Sequence, residues 1–177
     1  MKKIANAMTS SKRPPVIWIS GQGCTGCTES LLRASHPTLD NLILDLISLD
    51  YNETLNAGAG RQAEEFMERS VEENSGKFVL VIEGAIPTKD HGVYCQIAGK
   101  PFVKIVKEMA EKAGAIIAIG SCASWGGIVA ADPNPTGAKG APEVLKGKPV
   151  VTIPGCPPNA YNFLSTVAYY ITYKKTA

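Results

Sequence analysis

Long apolar runs, export motifs and a strong charge of either sign are missing from this 177-residue sequence. No stretch approaches the roughly 18 apolar residues that a membrane helix needs. Residues 1–15 are polar and basic and lack the apolar centre of a secretory signal. The formal net charge of +2 gives no argument for nucleic acid or an anionic membrane surface as a partner. These absences predict a cytoplasmic protein with no membrane segment and no nucleic-acid partner.

Cysteine is scarce, with five residues in the chain. In the absence of an export signal, we expect these thiols to stay reduced rather than to form disulfides. Four of them follow short apolar runs in which β-branched residues are frequent. Such runs are typical of parallel strands that are buried on both faces.

Five apolar runs predict strands over residues 16–19, 42–49, 78–82, 115–119 and 150–153. Helices are predicted between and after them: one following Cys27, one over 59–71, one beginning near Pro101, and a last one over 159–173. This alternation predicts an α/β protein with a flavodoxin-like, doubly wound, parallel five-stranded sheet and helices on both faces. We expect residues 16–177 to form this one domain, after a flexible arm over 1–15. The segment 131–147 is rich in Pro, Gly and Asn and is expected to be a surface loop.

The cysteines lie where they would meet at one edge of that sheet. Cys24 and Cys27 follow the first predicted strand, Cys122 the fourth and Cys156 the fifth, and the carboxyl ends of parallel strands share an edge. Spacing alone leaves open an iron–sulfur cluster, a zinc ion, or unrelated buried or redox thiols. It favours a cluster, because structural zinc sites usually use two paired knuckles and only one Cys-x-x-Cys pair is present. Cys156 also precedes a proline, as in ferredoxin-type runs.

Three other residues have simpler interpretations. Cys95 has no partner motif and is expected to be a small, buried apolar residue. Trp18 and Trp125 either shield the cysteine site or are ordinary core aromatics.

Five motifs around the cysteines resemble the small, electron-transferring subunit of nickel–iron hydrogenases. They are Cys-Thr-Gly-Cys-Thr-Glu-Ser (24–30), Leu-Asp-Leu-Ile-Ser-Leu-Asp-Tyr (44–51), Glu-Gly-Ala-Ile-Pro-Thr-Lys-Asp (83–90), Gly-Ser-Cys-Ala-Ser-Trp-Gly-Gly (120–127) and Pro-Gly-Cys-Pro-Pro-Asn (154–159). The resemblance extends over about residues 16–173. It implies a hydrogenase subunit with one proximal-type [4Fe–4S] cluster beside the nickel–iron centre of a separate large subunit, the cluster being held by Cys24, Cys27, Cys122 and Cys156.

The resemblance also assigns residues around the implied ligands. Glu83 matches a family glutamate near the cluster. Gly26 and Gly127 stand where oxygen-tolerant relatives carry two additional cysteines, which implies a standard four-cysteine cluster. Glu29 is expected to cap or neutralise a helix N-terminus rather than to relay protons. Gly23 stands where many relatives have a glutamate.

The chain ends where such relatives continue into a second domain with further clusters. Electrons are therefore expected to leave through another subunit. With a cytoplasmic location, this predicts additional iron–sulfur or flavin subunits linked to NAD or ferredoxin, which dock near the aromatic residues of the last helix. Two alternatives remain: a cluster-bearing quinone-reductase subunit of the complex I type, and a flavodoxin-like electron carrier. The first typically has two adjacent cysteines at the first position, whereas Cys24 and Cys27 are separated here. The second needs a phosphate loop rich in Ser and Thr after the first strand, whereas that loop holds cysteines here.

Overall fold

A five-stranded parallel sheet forms the centre of the molecule in the computed structural model, which describes residues 13–173. Its strands are β1 (Pro15–Ser20), β2 (Ser48–Asn52), β3 (Val79–Glu83), β4 (Ala115–Ile119) and β5 (Val151–Ile153). They lie in the order β2-β1-β3-β4-β5, and every neighbouring pair is parallel. The chain thus extends the sheet first toward one edge and then toward the other, which confirms the predicted doubly wound topology.

Five helices accompany the sheet: α1 (Gly26–Leu32), α2 (Arg61–Glu73), α3 (Phe102–Lys112), α4 (Gly120–Trp125) and α5 (Ala160–Tyr173). Met67 of α2 and Val106 of α3 belong to the core on one face of the sheet. Leu31 of α1 and Phe163 of α5 belong to the core on the other face, where they join Trp18 of β1. Successive strand residues point to opposite faces, so each buried strand contributes to both cores. Helices on both faces were predicted, and this prediction is confirmed.

The second strand begins later than predicted. Residues Leu42–Leu46 form one wide helical turn of the π type, and β2 starts only at Ser48. Leu42 and Ile47 are buried, whereas the Leu44 residue between them is 66% exposed. The predicted strand over 42–49 is therefore wrong in its first half, because a short apolar run does not by itself distinguish a strand from a buried helical turn.

The segment 131–147 is more ordered than the predicted surface loop. Ala138–Lys139 pairs with Ile86–Pro87 as a short antiparallel ladder, and Ala141–Val144 forms a single helical turn. Ala141 is fully buried and belongs to the core on the α2 and α3 face. The remaining short elements are helical turns at Leu39–Asn41, Lys89–Gly92 and Gly127–Ala130, and a ladder between Gln96–Ile97 and Lys100–Pro101.

The first described residues already make a hydrogen bond to the strand that neighbours β1. The carbonyl oxygen of Pro14 accepts a hydrogen bond of 2.9 Å from the backbone N–H of Ser48, beside the start of β1. Residues 1–12, which make up most of the predicted flexible arm, lie outside the described residues. None of the helices between residues 13 and 173 has both the length and the apolar character of a membrane span.

Candidate metal centre

Three strand ends bring the four cysteines together at the carboxyl edge of the sheet. The loop after β1 carries Cys24, the start of α1 carries Cys27, α4 after β4 carries Cys122, and the loop after β5 carries Cys156. All four line one cavity of about 100 Å³. Its other lining residues are Gly23, Gly26, Glu83, Gly84, Ser121, Gly155 and Pro157.

Hydrogen bonds connect the loops at this edge. The backbone N–H of Ser121 donates to the carbonyl oxygen of Gly155 at 2.8 Å, which joins the loop of Cys122 to that of Cys156. The hydroxyl of Ser30 in α1 donates to the carbonyl oxygen of Pro158 at 2.7 Å. The three cysteine-bearing segments are therefore connected to one another by protein contacts.

Three glycines, Gly26, Gly120 and Gly127, leave space for the sulfur atoms. A Cβ atom on Gly120 would lie 2.4 Å from the Sγ of Cys27, and a Cβ on Gly26 would lie 3.1 Å from the Sγ of Cys24. Gly120 also has a φ of +83°, which side-chain-bearing residues rarely adopt. Close approach to sulfur explains why these positions have no side chain.

Burial divides the four thiols into two pairs. Cys24 and Cys156 are exposed, whereas Cys27 and Cys122 are partly buried. Burial raises the pKa of Cys27 to about 12, with further contributions from the charges of Glu83 and the other three cysteines. Burial, followed by the charges of Cys156 and Cys24, also raises the pKa of Cys122. A bound metal would supply the positive charge that compensates the thiolate forms of this partly buried pair.

Glu83 ends β3 directly beside these thiols and is only 2% exposed. Its Oε1 accepts hydrogen bonds from the backbone N–H groups of Cys27 (3.0 Å) and Thr28 (3.3 Å). Its Oε2 accepts from the indole Nε1 of Trp18 (2.8 Å) and from the hydroxyl of Thr28 (2.5 Å). The side chain thus caps α1, whose own N-cap residue provides no side-chain hydrogen bond.

Sequence reasoning missed Trp18 and Thr28 as the partners of Glu83. Trp18 belongs to the core, with its ring 5.2 Å from that of Phe163, while Trp125 is 60% exposed. Glu29 is exposed in the first turn of α1. Alternation along β3 predicts that Glu83 shares a face with Val79 and Val81, but it does not identify Trp18 or Thr28 as the neighbours on that face.

Cys95 lies apart from the other cysteines. It is partly buried and packs against the core on the α2 and α3 face. Burial raises its pKa, with a smaller contribution from the charge of Glu53. Its surroundings agree with the simple interpretation as a small apolar residue.

The donor set fits an iron–sulfur cluster. Clusters of the [4Fe–4S] type are bound by four cysteine thiolates, and four thiols surround this cavity. Within residues 13–173, no three His, Cys, Asp or Glu side chains are grouped closely enough to hold a single metal ion. A cluster needs its four sulfurs around a wider space than one zinc ion, which binds each sulfur at about 2.3 Å. The fold is that of a flavodoxin-like α/β protein, and the four cysteines at the carboxyl edge of its sheet are a candidate metal centre.

Comparison with known proteins narrows this class. The family model described as "NADH ubiquinone oxidoreductase, 20 Kd subunit" matches residues 24–170. The chain is 57% identical over 173 residues to the hydrogenase-2 small chain of Escherichia coli K12, covering 98% of this chain and 46% of that protein. It also resembles the structure of a reduced, active Ni-Fe-Se hydrogenase from Desulfomicrobium baculatum, with a TM-score of 0.87, 37% identity, and coverage of 92% and 64% of the two chains.

The chain belongs to the family of nickel–iron hydrogenase small subunits, as the motifs had indicated. It spans about half the length of the curated relatives that it matches.

The prediction of a cytoplasmic protein is wrong. A relative from Nitratidesulfovibrio vulgaris Hildenborough, 48% identical over 96% of this chain and 54% of its own length, is a periplasmic [NiFe] hydrogenase small subunit. The prediction rested on the missing export signal. That absence carries no weight in a chain that spans only part of its relatives.

Proposed function

We propose that this chain is the electron-transferring small subunit of a nickel–iron hydrogenase and binds one [4Fe–4S] cluster through Cys24, Cys27, Cys122 and Cys156. The observation that carries the proposal is the convergence of these four thiols from three separate strand ends on one cavity. When bound, the cluster supplies one-electron transfer. Hydrogen turnover itself is assigned to a large partner subunit, as the names of the relatives as small chains suggest.

The residues around the cavity have roles that follow from their contacts. Gly26 and Gly120 allow the protein backbone to approach the sulfurs closely. Glu83 accepts a hydrogen bond from the backbone N–H of Cys27 and so holds the backbone of Cys27 in place. The partial burial of Cys27 and Cys122 keeps water from that side of the centre, and water exclusion is one of the factors that set a cluster's potential.

The open side of the cavity provides a docking face for the large subunit. Cys24 and Cys156 are exposed, and two large apolar side chains near Cys122 are also exposed, Trp125 at 60% and Ile128 at 82%. Apolar and aromatic side chains of this kind are typical of the centre of protein interfaces. A partner that covers this face would bring its own metal site close to the cluster.

Two finer points concern partners and location. The predicted iron–sulfur or flavin subunits linked to NAD or ferredoxin rested on a cytoplasmic location, and no relative reported above supports them. A periplasmic location has the support of the Nitratidesulfovibrio relative. Fractionation of the native cell, with this chain followed by antibody, tests it, and recovery in the cytoplasmic fraction alone would contradict it.

The description of the matching family model supports one alternative to a hydrogenase subunit, namely a cluster-bearing subunit of the NADH–ubiquinone oxidoreductase type. Metal analysis of the native complex separates the two functions. We expect iron and acid-labile sulfide in cluster stoichiometry on this chain, and nickel in the co-purified large subunit. A complex with iron but no nickel would favour the oxidoreductase. A chain without iron would contradict both.

A further inference from the structure

We infer that the Glu83 carboxylate, held in place by Trp18 and Thr28, lowers the reduction potential of the four-cysteine centre. This inference rests on the proposed function, since it requires a cluster in the cavity. It assigns a tuning role to Glu83 and positioning roles to Trp18 and Thr28.

The contacts of Glu83 suit a carboxylate. Three of its four close polar neighbours are N–H groups, which can only donate: the amides of Cys27 and Thr28 and the indole of Trp18. The fourth, the hydroxyl of Thr28, donates to Oε2. Among the ion pairs within residues 13–173, none includes Glu83, so its charge is balanced by dipoles alone.

Two consequences of this arrangement act in the same direction. Glu83 lines the cavity, and a fixed negative charge in a buried site opposes the arrival of an electron nearby more strongly than it would in water. Glu83 also accepts the hydrogen bond of the Cys27 amide, which is therefore engaged away from the cluster sulfurs. Net charge and hydrogen bonds to sulfur are both determinants of cluster potential. The negative charge of Glu83 and the loss of the Cys27 amide as a donor to sulfur both lower the reduction potential of the cluster.

The neighbours of Glu83 prevent it from turning away. Trp18 is fully buried in β1 and packs on Phe163, while Thr28 is fully buried in α1. Trp18 and Thr28 approach the same oxygen from different elements. The carboxylate is thus held between β1 and α1, where Glu83 is only 2% exposed.

The test is a potentiometric titration of the cluster, followed by electron paramagnetic resonance, on the native complex carrying Glu83→Gln. We expect full iron content and a reduction equilibrium shifted at least tenfold toward the reduced form, which corresponds to 59 mV for one electron. Glu29→Gln is the matched control, because it removes the same charge at an exposed position in the first turn of α1, the helix that Glu83 caps. Solvent screens that charge, so its shift should be much smaller.

A second pair of variants keeps the test valid if Glu83→Gln fails to assemble. Thr28→Val removes one donor and leaves the charge, which should shift the equilibrium toward the oxidised form, while Thr28→Ser keeps the hydroxyl and should match the parent. An unchanged potential in iron-loaded Glu83→Gln or Thr28→Val would overturn the inference, as would an equal shift in Glu29→Gln. A parent protein without a cluster spectrum would instead refute the proposed function.

Discussion

Gly120 and Cys27 lie so close together that a single methyl group at position 120 would come within 2.4 Å of the Cys27 sulfur. Gly120 begins α4 and Cys27 belongs to α1, so this contact joins the segments that carry three of the four candidate ligands. The two helices can approach each other this closely at the site because Gly120 has no side chain.

Gly120→Ala should therefore lower the iron content of the purified protein well below that of the parent. Its matched control is Gly147→Ala, where φ is +87° and a Cβ would meet nothing within 4 Å. Both substitutions force a residue with a Cβ into a left-handed conformation, at about 1–2 kcal/mol in the free energy of unfolding. Only Gly120→Ala should also lose iron, as measured by metal analysis. Equal iron in both variants would contradict the steric role of Gly120.

Cys95→Ser should leave both iron content and hydrogen oxidation close to those of the parent. Cys95 packs against the core away from the cavity, so the exchange replaces a small apolar contact and no ligand. Cys122→Ser is the positive control, since it should remove the cluster signal. Loss of about one cluster's iron in the Cys95 variant would refute the four-cysteine assignment.

Hydrogen oxidation should be lost under air. The resemblance implies that tolerant relatives carry extra cysteines at the positions of Gly26 and Gly127. Gly127 offers no room for one, because a Cβ there would lie 2.9 Å from the backbone nitrogen of Cys122. Activity measured with and without oxygen checks the prediction. Sustained oxidation of hydrogen in air would mean that tolerance arises elsewhere in the complex.

Thr28→Val should lower the free energy of unfolding by about 1–3 kcal/mol, the usual effect of depriving a buried polar group of its partner. The Thr28 hydroxyl donates to Glu83 in a fully buried position, and valine has the same shape without the donor. Thr28→Ser retains the donor and should lose less. Chemical denaturation of the apoprotein measures both. If valine proves as stable as threonine, the hydrogen bond contributes nothing to stability.

Ile128→Glu should weaken binding of the large subunit while leaving the isolated chain as stable as the parent. The side chain is 82% exposed, so a charge costs little until a partner covers it. Leu44→Glu, at a residue 66% exposed in the turn before β2, is the control and should leave binding unchanged. Co-purification of the large subunit measures the outcome. Equal losses at both positions would remove the assignment of the docking face.

Much of the fold could be predicted because each core strand is a short apolar run that directly precedes a loop with a distinctive motif. The run at residues 115–119 gave the observed bounds of β4. The run at 42–49 did not give those of β2, because a turn that buries Leu42 and Ile47 has the same composition as a strand. The pattern of apolar residues in a sequence predicts that a segment is buried more reliably than it predicts whether the segment is a strand or a helical turn.

The candidate ligands could be predicted, but the contacts that support them could not. Which residues meet Glu83 depends on the register between β1 and β3, in which Ser20 lies beside Glu83 and Trp18 beside Val81. No local feature of the sequence states that register. The sequence likewise did not state which aromatic residues of α5 face the core. Phe163 is buried there, whereas Tyr161, Tyr169 and Tyr173 are exposed.

The order of the ligands along the chain determines when the centre can be completed. Cys24 and Cys27 are synthesised early, but Cys156 follows β5, which is the last strand of the sheet along the chain and pairs with β4. Parallel strands pair across long sequence separations, and domains fold only once such partners are available. Cluster insertion is therefore a step after translation of nearly the whole domain. A nascent chain stalled before β5 carries three of the four ligands.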